Sequence, residues 1–520
     1  MSSLRFLSAE PRVRLIKAFA TPFRNVVATA RTCYSSKGIV EDAAVGTPDR
    51  FTPLVQSIYE AGHHTTFQHA HFQFTLENVS RQFIWSFLHA HPFYNSEQVS
   101  QRYVAVQPDT VTVPDLPADQ LAEYRACLEM QFAAYRRLCG LLAGPVETEF
   151  FRRFNRSERM AVRHQRAIEK KAQEAARYVL PLATHAYLYH TVSGITLLRY
   201  WRLAGQLDMP SEQRLVLGRM VEELLAHDPE YRITLEEPLD PETLPEARFL
   251  AAHPQVMEGA VAPAFVREFD ESMAGATSRL VGHTAEGERL VADAVREVLG
   301  QPRVALSDNE AIALAADPAA NTLLGQSLNL TTMHKLGRAL FHAHYTFRKR
   351  LSHAADSQDQ RHRMTPGSRP ILAAHLTGEP DFAMPRVVAL DAPAAAAYRE
   401  TMERTWAHIT RLRRLGASPE VLCYLLPNAV HVRFTESADF LNLRHKHQMR
   451  LCYNAQEEIW QASVEEAAQV RALHPTLGRF LLPPCGVRSL ARQKPICPEG
   501  PRYCGVRVWK LDLADYERVI

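Results

Sequence analysis

Four groups of residues could do chemistry by type and spacing. Ser100-Gln101-Arg102-Tyr103 places a hydroxyl, an amide and a guanidinium together, beyond a helical run that opens at Ser80-Arg81. Arginine offers a planar fork to phosphate or carboxylate, and hydroxyl and amide groups complete such a shell. The same types on a solvent face would make only surface ion pairs. Arg348-Lys349-Arg350 suits either a bound anion or a solvated basic face. His89 and His91 stand two apart, on different faces of a helix, and make a poor metal pair. The fourth group is sulfur. Cys33, Cys127 and Cys139 are scattered, but Cys423, Cys452, Cys485, Cys497 and Cys504 crowd the end of the sequence. Pro484-Cys485-Gly486, Cys497-Pro498 and Cys504-Gly505 are turn-forming knuckles that present thiolates, and with Cys452 they form a candidate structural zinc set. The spacing is not that of paired CxxC motifs, so buried reduced thiols are the alternative.

Positioning these groups takes an order of elements that occurs twice. Residues 65–77 alternate as a strand and lead through Asn78-Val79-Ser80 into a helix over 81–91. Helices follow at 118–143 and 156–178, then a strand at 185–191 and helices at 194–204 and 211–226. A loose segment rich in Pro, Glu and Asp spans 227–290. Beyond it, Leu328 to Met333 leads into a helix near Lys335-Leu336-Gly337-Arg338. A long helix covers 392–416, a strand 430–435, and Ala455-Gln456-Glu457-Glu458 opens the last long helix. Residues 1–230 and 291–520 read as two α+β domains, each a mixed or antiparallel sheet packed with long helices, joined by 231–290. Duplication of one unit is the economical reading, and two unrelated domains the alternative.

The ordered motifs resemble the flavin-dependent thymidylate synthases, the thymidylate-synthase-complementing type. In the first half the resemblance rests on His64-Thr-Thr-Phe-Gln-His69, Val79-Ser80-Arg81, Ser100-Gln101-Arg102-Tyr103, Ala176-Arg177-Tyr178-Val179-Leu180-Pro181 and Thr191-Val192-Ser193. In the second it rests on Tyr424-Leu425-Leu426-Pro427 and on Met449-Arg450, followed by Ala455-Gln456-Glu457-Glu458-Ile459. It implies FAD as cofactor, methylenetetrahydrofolate and NADPH as co-substrates, and reductive methylation of dUMP to dTMP. The flavin does the redox work, and the protein supplies orientation and electrostatics. Carried over residue by residue, the resemblance implies flavin contacts from His69, His89, His91, Arg348, Lys349 and Arg350. Nucleotide contacts would come from Ser100, Gln101, Arg102, Arg177, Gln360 and Arg361. Arg450 would orient the pyrimidine, with Arg202 as its first-half counterpart.

The departures are specific. The family's Arg-His-Arg stands as His89-Ala90-His91 in one half and is matched to Arg348-Lys349-Arg350 in the other. Asp359 stands where a Ser belongs, and Cys423 stands where the first half has Arg177. The literal Arg361-His362-Arg363 reads as displaced from the motif, although Arg361 itself suits a nucleotide phosphate. A partly degenerate tandem follows, expected as a homodimer that imitates a family tetramer. The alternatives are a one-carbon transferase for another pyrimidine nucleotide, or a non-catalytic nucleotide-binding homologue.

Composition narrows the partners. Lys+Arg 60 against Asp+Glu 57 gives +3, so no overall field favours nucleic acid. No run of apolar residues is long enough to span a bilayer, and the opening residues lack a signal-peptide core. A cytoplasmic protein is expected.

Overall fold

A computed structural model describes residues 5–154, 158–205 and 208–520, with side chains except those of 158–163. The first sheet has antiparallel strands β1 (Arg12–Ala18), β2 (His71–Ser80), β3 (Tyr94–Gln98) and β4 (His185–Ser193) in the order β1-β2-β4-β3. The second repeats it with β5 (Ser278–His283), β6 (His344–Ser352), β7 (Gly367–Ser368) and β8 (His431–Asp439) in the order β5-β6-β8-β7. The registers correspond: Ser80 faces His185, and Ser352 faces His431. Ser80 caps the helix Arg81–His89 by accepting from the Phe83 amide, and Ser352 caps His353–Asp359 through the Ala355 amide. A hydroxyl at the N-cap satisfies one of the orphan amides and ends the strand at that residue.

The units join through equivalent segments. The Ala183 amide donates to the Tyr424 carbonyl (2.7 Å), and the Ala429 amide to the Tyr178 carbonyl (2.9 Å). Leu182 and Leu426, and Asn428 and Leu180, make the matching pair. Side chains repeat the exchange. Glu212 accepts from the Ser80 amide and hydroxyl and from Tyr424 of the other unit. Glu458 accepts from the Ser352 amide and hydroxyl and from Tyr178. One hydrophobic core spans both units, with Tyr124, Leu138 and Phe150 of the helix Ala118–Phe154 packed with Tyr398, Trp406 and Ile409 of the helix Ala392–Arg414. Each sheet has a core of its own.

Several expectations change in detail. The strand expected at 65–77 begins at His71, after a short turn at Thr66–Gln68. The helix expected near Lys335 is a short turn, Gly337–His342, that runs into β6. Tyr345, Phe347, Lys349 and Leu351 of β6 point inward, alternating with Thr346, Arg348 and Arg350. Period-two alternation is decisive for a strand. The segment 231–290 holds the helices Pro245–Ala252 and Ala262–Met273, and its end supplies β5 to the second sheet. The helix Ala262–Met273 lies on that sheet's outer face, where Asp270 pairs with Arg350 (3.0 Å) and Arg433 (2.8 Å). On the first sheet the corresponding face is bare, and Tyr187 and Tyr189 are exposed. Among the described residues, no helix is long and apolar enough to cross a membrane.

Candidate functional site

A cluster of arginines occupies one junction between the units. Arg102, just after β3, donates from Nε to Glu174 Oε1 (3.0 Å) and from Nη2 to the Asn454 carbonyl of the second unit (2.8 Å). Glu174 stands three residues before Arg177, on the same helical face. Burial alone would raise the Glu174 carboxyl, but Arg102 and Lys171 overcome it and hold it at about 2. Arg177 is buried, yet among the described residues its Nε and Nη2 have no hydrogen-bond partner. Gln101 and Gln360 are buried too, with the Gln101 Nε2 and both Gln360 side-chain polar atoms unpaired. Buried donors left unpaired cost free energy that a ligand can recover.

Arg81, Arg361 and Arg450 complete the cluster. Arg81 donates to Gln98 (3.1 Å), and burial, then Arg177 and Arg361, push its pKa down to about 10. Arg450, ending the helix Phe440–Arg450, donates to His362 Nε2 (2.9 Å) and to the Gln358 carbonyl (2.6 Å). Burial lowers Arg450 to about 10, and Arg102 and Arg361 act in the same direction. Accepting at Nε2 requires a neutral imidazole. Burial and Arg450 accordingly hold His362 well below its usual pKa. Arg361 sits at the rim, 3.1 Å from Glu97. Beside the cluster is a cavity of about 540 Å³ lined by His71, Phe93, Tyr94, Asn95, Arg361, His362, Arg363 and His445 among others. Farther along the bare sheet face, a groove of about 760 Å³ reaches Ser100 and Gln101.

The expected basic triplet is placed differently. Arg348-Lys349-Arg350 lies on β6 and not at a helix end. Lys349 is fully buried among Asp359 (2.5 Å), Glu436 (3.2 Å) and Glu466 (3.0 Å), so its charge is satisfied internally. Arg348 donates to Ser272, and Arg350 pairs with Asp270. Arg361-His362-Arg363 takes the helix-end position instead: Arg361 stands nine positions after Ser352, as His89 stands nine positions after Ser80. The shared N-cap serine was the sequence signal that would have set this alignment.

The remaining candidates divide. His89 is buried against Asp356 of the second unit (3.5 Å), and burial lowers its pKa to about 4. His91 accepts from the Phe93 amide, and His69 is exposed with its carbonyl near His71 Nδ1. Arg202 is tied at the surface to Glu236 (2.8 Å) and the Glu237 carbonyl, outside the arginine cluster. Cys452, Cys485, Cys497 and Cys504 do converge on one small cavity. Among the described residues, however, no group of three or more His, Cys, Asp or Glu side chains stands arranged to hold a metal. Glu174 and Asn454 are parts of the cluster that the sequence did not single out, and Arg81 was matched within Val79-Ser80-Arg81 without being given a role.

The sequence pattern of the thymidylate synthase complementing protein family matches residues 14–230 and 279–476, and the chain belongs to that family, in two tandem copies. A flavin-dependent thymidylate synthase of Clostridium tetani (strain Massachusetts / E88) is 26% identical over 194 residues, 37% of this chain and 73% of that protein. One from Nitratidesulfovibrio vulgaris (strain Hildenborough) is 26% identical over 234 residues, 42% of this chain and 86% of that protein. The crystal structure of a UMP/dUMP methylase, PolB from Streptomyces cacaoi, bound with 5-Br dUMP, covers 43% of this chain and 93% of its own at 18% identity and a TM-score of 0.31, a likeness too loose to carry an argument.

Proposed function

We propose that the chain is a flavin-dependent thymidylate synthase with one nucleotide site, converting dUMP to dTMP with methylenetetrahydrofolate and NADPH. The observation that carries this reading is the arginine cluster with unpaired buried donors. Arg102, Arg177 and Arg361 hold the nucleotide phosphate through charge-assisted hydrogen bonds, with Gln101 and Gln360 contributing amides. Arg450, fixed by His362 and the Gln358 carbonyl, orients the pyrimidine and stabilises negative charge on it. Glu174 keeps Arg102 in place.

The cavity residues fit a flavin. Arg363, His71 and His445 offer donors to its phosphates, and Phe93 and Tyr94 offer aromatic surface. When bound, FAD supplies the hydride-transfer chemistry. We read the assembly as a homodimer closing over the bare first sheet, because the helix Ala262–Met273 already covers the second. The test is direct: the purified chain should be yellow with noncovalent FAD and should form dTMP from dUMP, the folate and NADPH. A colourless chain that binds dUMP without turnover would leave a nucleotide-binding homologue. Methylation of a competing pyrimidine nucleotide in preference to dUMP would change the substrate.

A further inference from the structure

The tail after Arg479 is compact, although its regular elements are short: Pro484–Leu490, Gly500–Arg502 and Val508–Lys510. Leu481 and Leu513 anchor its two ends to the second sheet's core, and Val519 and Ile520 reach the shared core, but the stretch between rests on one small cluster with Tyr453 and Trp460. A stretch with so little core gains from another fastening. Four cysteines border the space between the tail and the 452–454 loop. Cys452, Cys485, Cys497 and Cys504 line one cavity of about 10 Å³, an atom-sized volume. None is in a disulfide. Gly500 and Gly505 take positive φ (54° and 86°), which lets the chain turn tightly next to Cys497 and Cys504.

We propose that Cys452, Cys485, Cys497 and Cys504 bind one structural zinc ion, and that this ion fixes the loop which positions Arg102. The thiols do not yet close around a point, so the ion must draw them together. Binding replaces four S–H bonds with four Zn–S bonds and releases the protons to solvent, without any redox change. Four protein ligands leave no open position, so the metal takes no part in the chemistry. The connection to the site runs through Asn454, two residues from Cys452. Its carbonyl accepts from Arg102 Nη2 (2.8 Å), and its side chain donates to the Arg502 carbonyl of the tail (2.7 Å). Arg102 is thus clamped between Glu174 and a loop held by the tail. This second step rests on the nucleotide site proposed above.

The full chain, reduced and stripped with chelator, is titrated with zinc chloride alone and analysed for metal. About one equivalent is expected, and cobalt(II) should give thiolate-to-metal charge-transfer absorption. Cys497→Ser and Cys504→Ser should each fall below about half an equivalent. Uptake below half by the unaltered chain, retention by both variants, or two disulfides in the protein as isolated would overturn the site. The cobalt spectrum of the unaltered chain decides even if the variants fail to fold. For the link to Arg102, removing zinc should weaken dUMP binding about three- to tenfold, the scale of one ordinary hydrogen bond, with flavin absorbance unchanged. Unchanged dUMP affinity overturns the link. If dUMP fails to bind even the loaded chain, the nucleotide reading fails and the metal result stands.

Discussion

The two junctions between the units have the same framework and opposite electrostatics. Counting back from Tyr178 and Tyr424, which make matching bonds to Glu458 and Glu212, Glu174 corresponds to Glu420 and Arg177 to Cys423. At the first junction Glu174 holds Arg102, and the surplus charge is positive. At the second, Glu420 accepts from the Ser211 and Glu212 amides, and Cys423 is fully buried. Asp208 is there too, accepting from Ser86 and the Leu372 amide, and burial raises its pKa to about 6. A carboxyl drifting toward neutrality marks a place with no cation to pair with it. The second junction repeats the scaffold of the first, with buried Cys423 standing where the first has Arg177.

The largest effect should come from the displaced triplet. Replacing Lys349 with Met leaves Asp359, Glu436 and Glu466 buried with Lys446 as the nearest remaining ammonium. Breaking a buried ion cluster in this way should cost about 3–5 kcal/mol in denaturant unfolding. Arg350→Ala, at a half-exposed pair with Asp270, should cost about 1 kcal/mol or less. Similar losses for both would return the triplet to a surface role.

Two buried glutamates should give opposite pH slopes. Burial raises Glu212 to about 7, so the folded chain holds that proton more tightly than the unfolded chain does. Its contribution is greatest below the ordinary carboxyl pKa of 4.5 and is lost as pH rises toward 7, by up to about 3 kcal/mol. Glu174, held near 2, contributes above 4.5 and is lost as pH falls toward 2. Unfolding curves against pH should flatten in the upper window for Glu212→Gln and in the lower for Glu174→Gln. A single shared window would mean that the junctions are electrostatically alike.

Arg177→Met tests the comparison through ligand binding. Loss of the guanidinium should weaken dUMP by about 1.5–3 kcal/mol, one to two decades, in calorimetric titration. The melting temperature should hold or rise, because the side chain's Nε and Nη2 are buried without partners. Cys423→Ala should leave dUMP affinity unchanged. A melting temperature that falls with affinity would make Arg177 structural.

The sequence carried the tandem and the strand-to-helix order, and it named the arginines that the fold gathers at one junction, because those depend on short spacings: a serine at a cap, Gln101 beside Arg102, Arg450 before Ala455-Gln456. It misplaced the second half's basic motif for a local reason. Three adjacent cations look like a ligand site in one dimension, but on a strand the middle one turns inward, and only the carboxylates of β8 and two helices show that it is neutralised. The helix Ala262–Met273 was hidden in a Pro- and Glu-rich segment because its anchoring partners, Arg350 and Arg433, lie far along the chain.

The smallest effect is expected at Arg202, set against Arg450. Both end the helix that follows the sheet's second long strand, β4 in one unit and β8 in the other, and sequence order makes them counterparts. Their surroundings do not. Arg450 is half-buried, bound to His362 and close enough to Arg102 and Arg361 for both to lower its pKa, whereas Arg202 reaches Glu236 at the surface. An exposed pair of that kind is worth about 0–1 kcal/mol. Arg202→Ala should therefore leave dUMP binding and turnover untouched and shift stability by no more than that amount. Arg450→Ala should lower turnover more than it raises KM, because charge on the pyrimidine develops most in the transition state. If Arg202→Ala also cuts turnover, the second junction still takes part in catalysis, and the chain has two working sites.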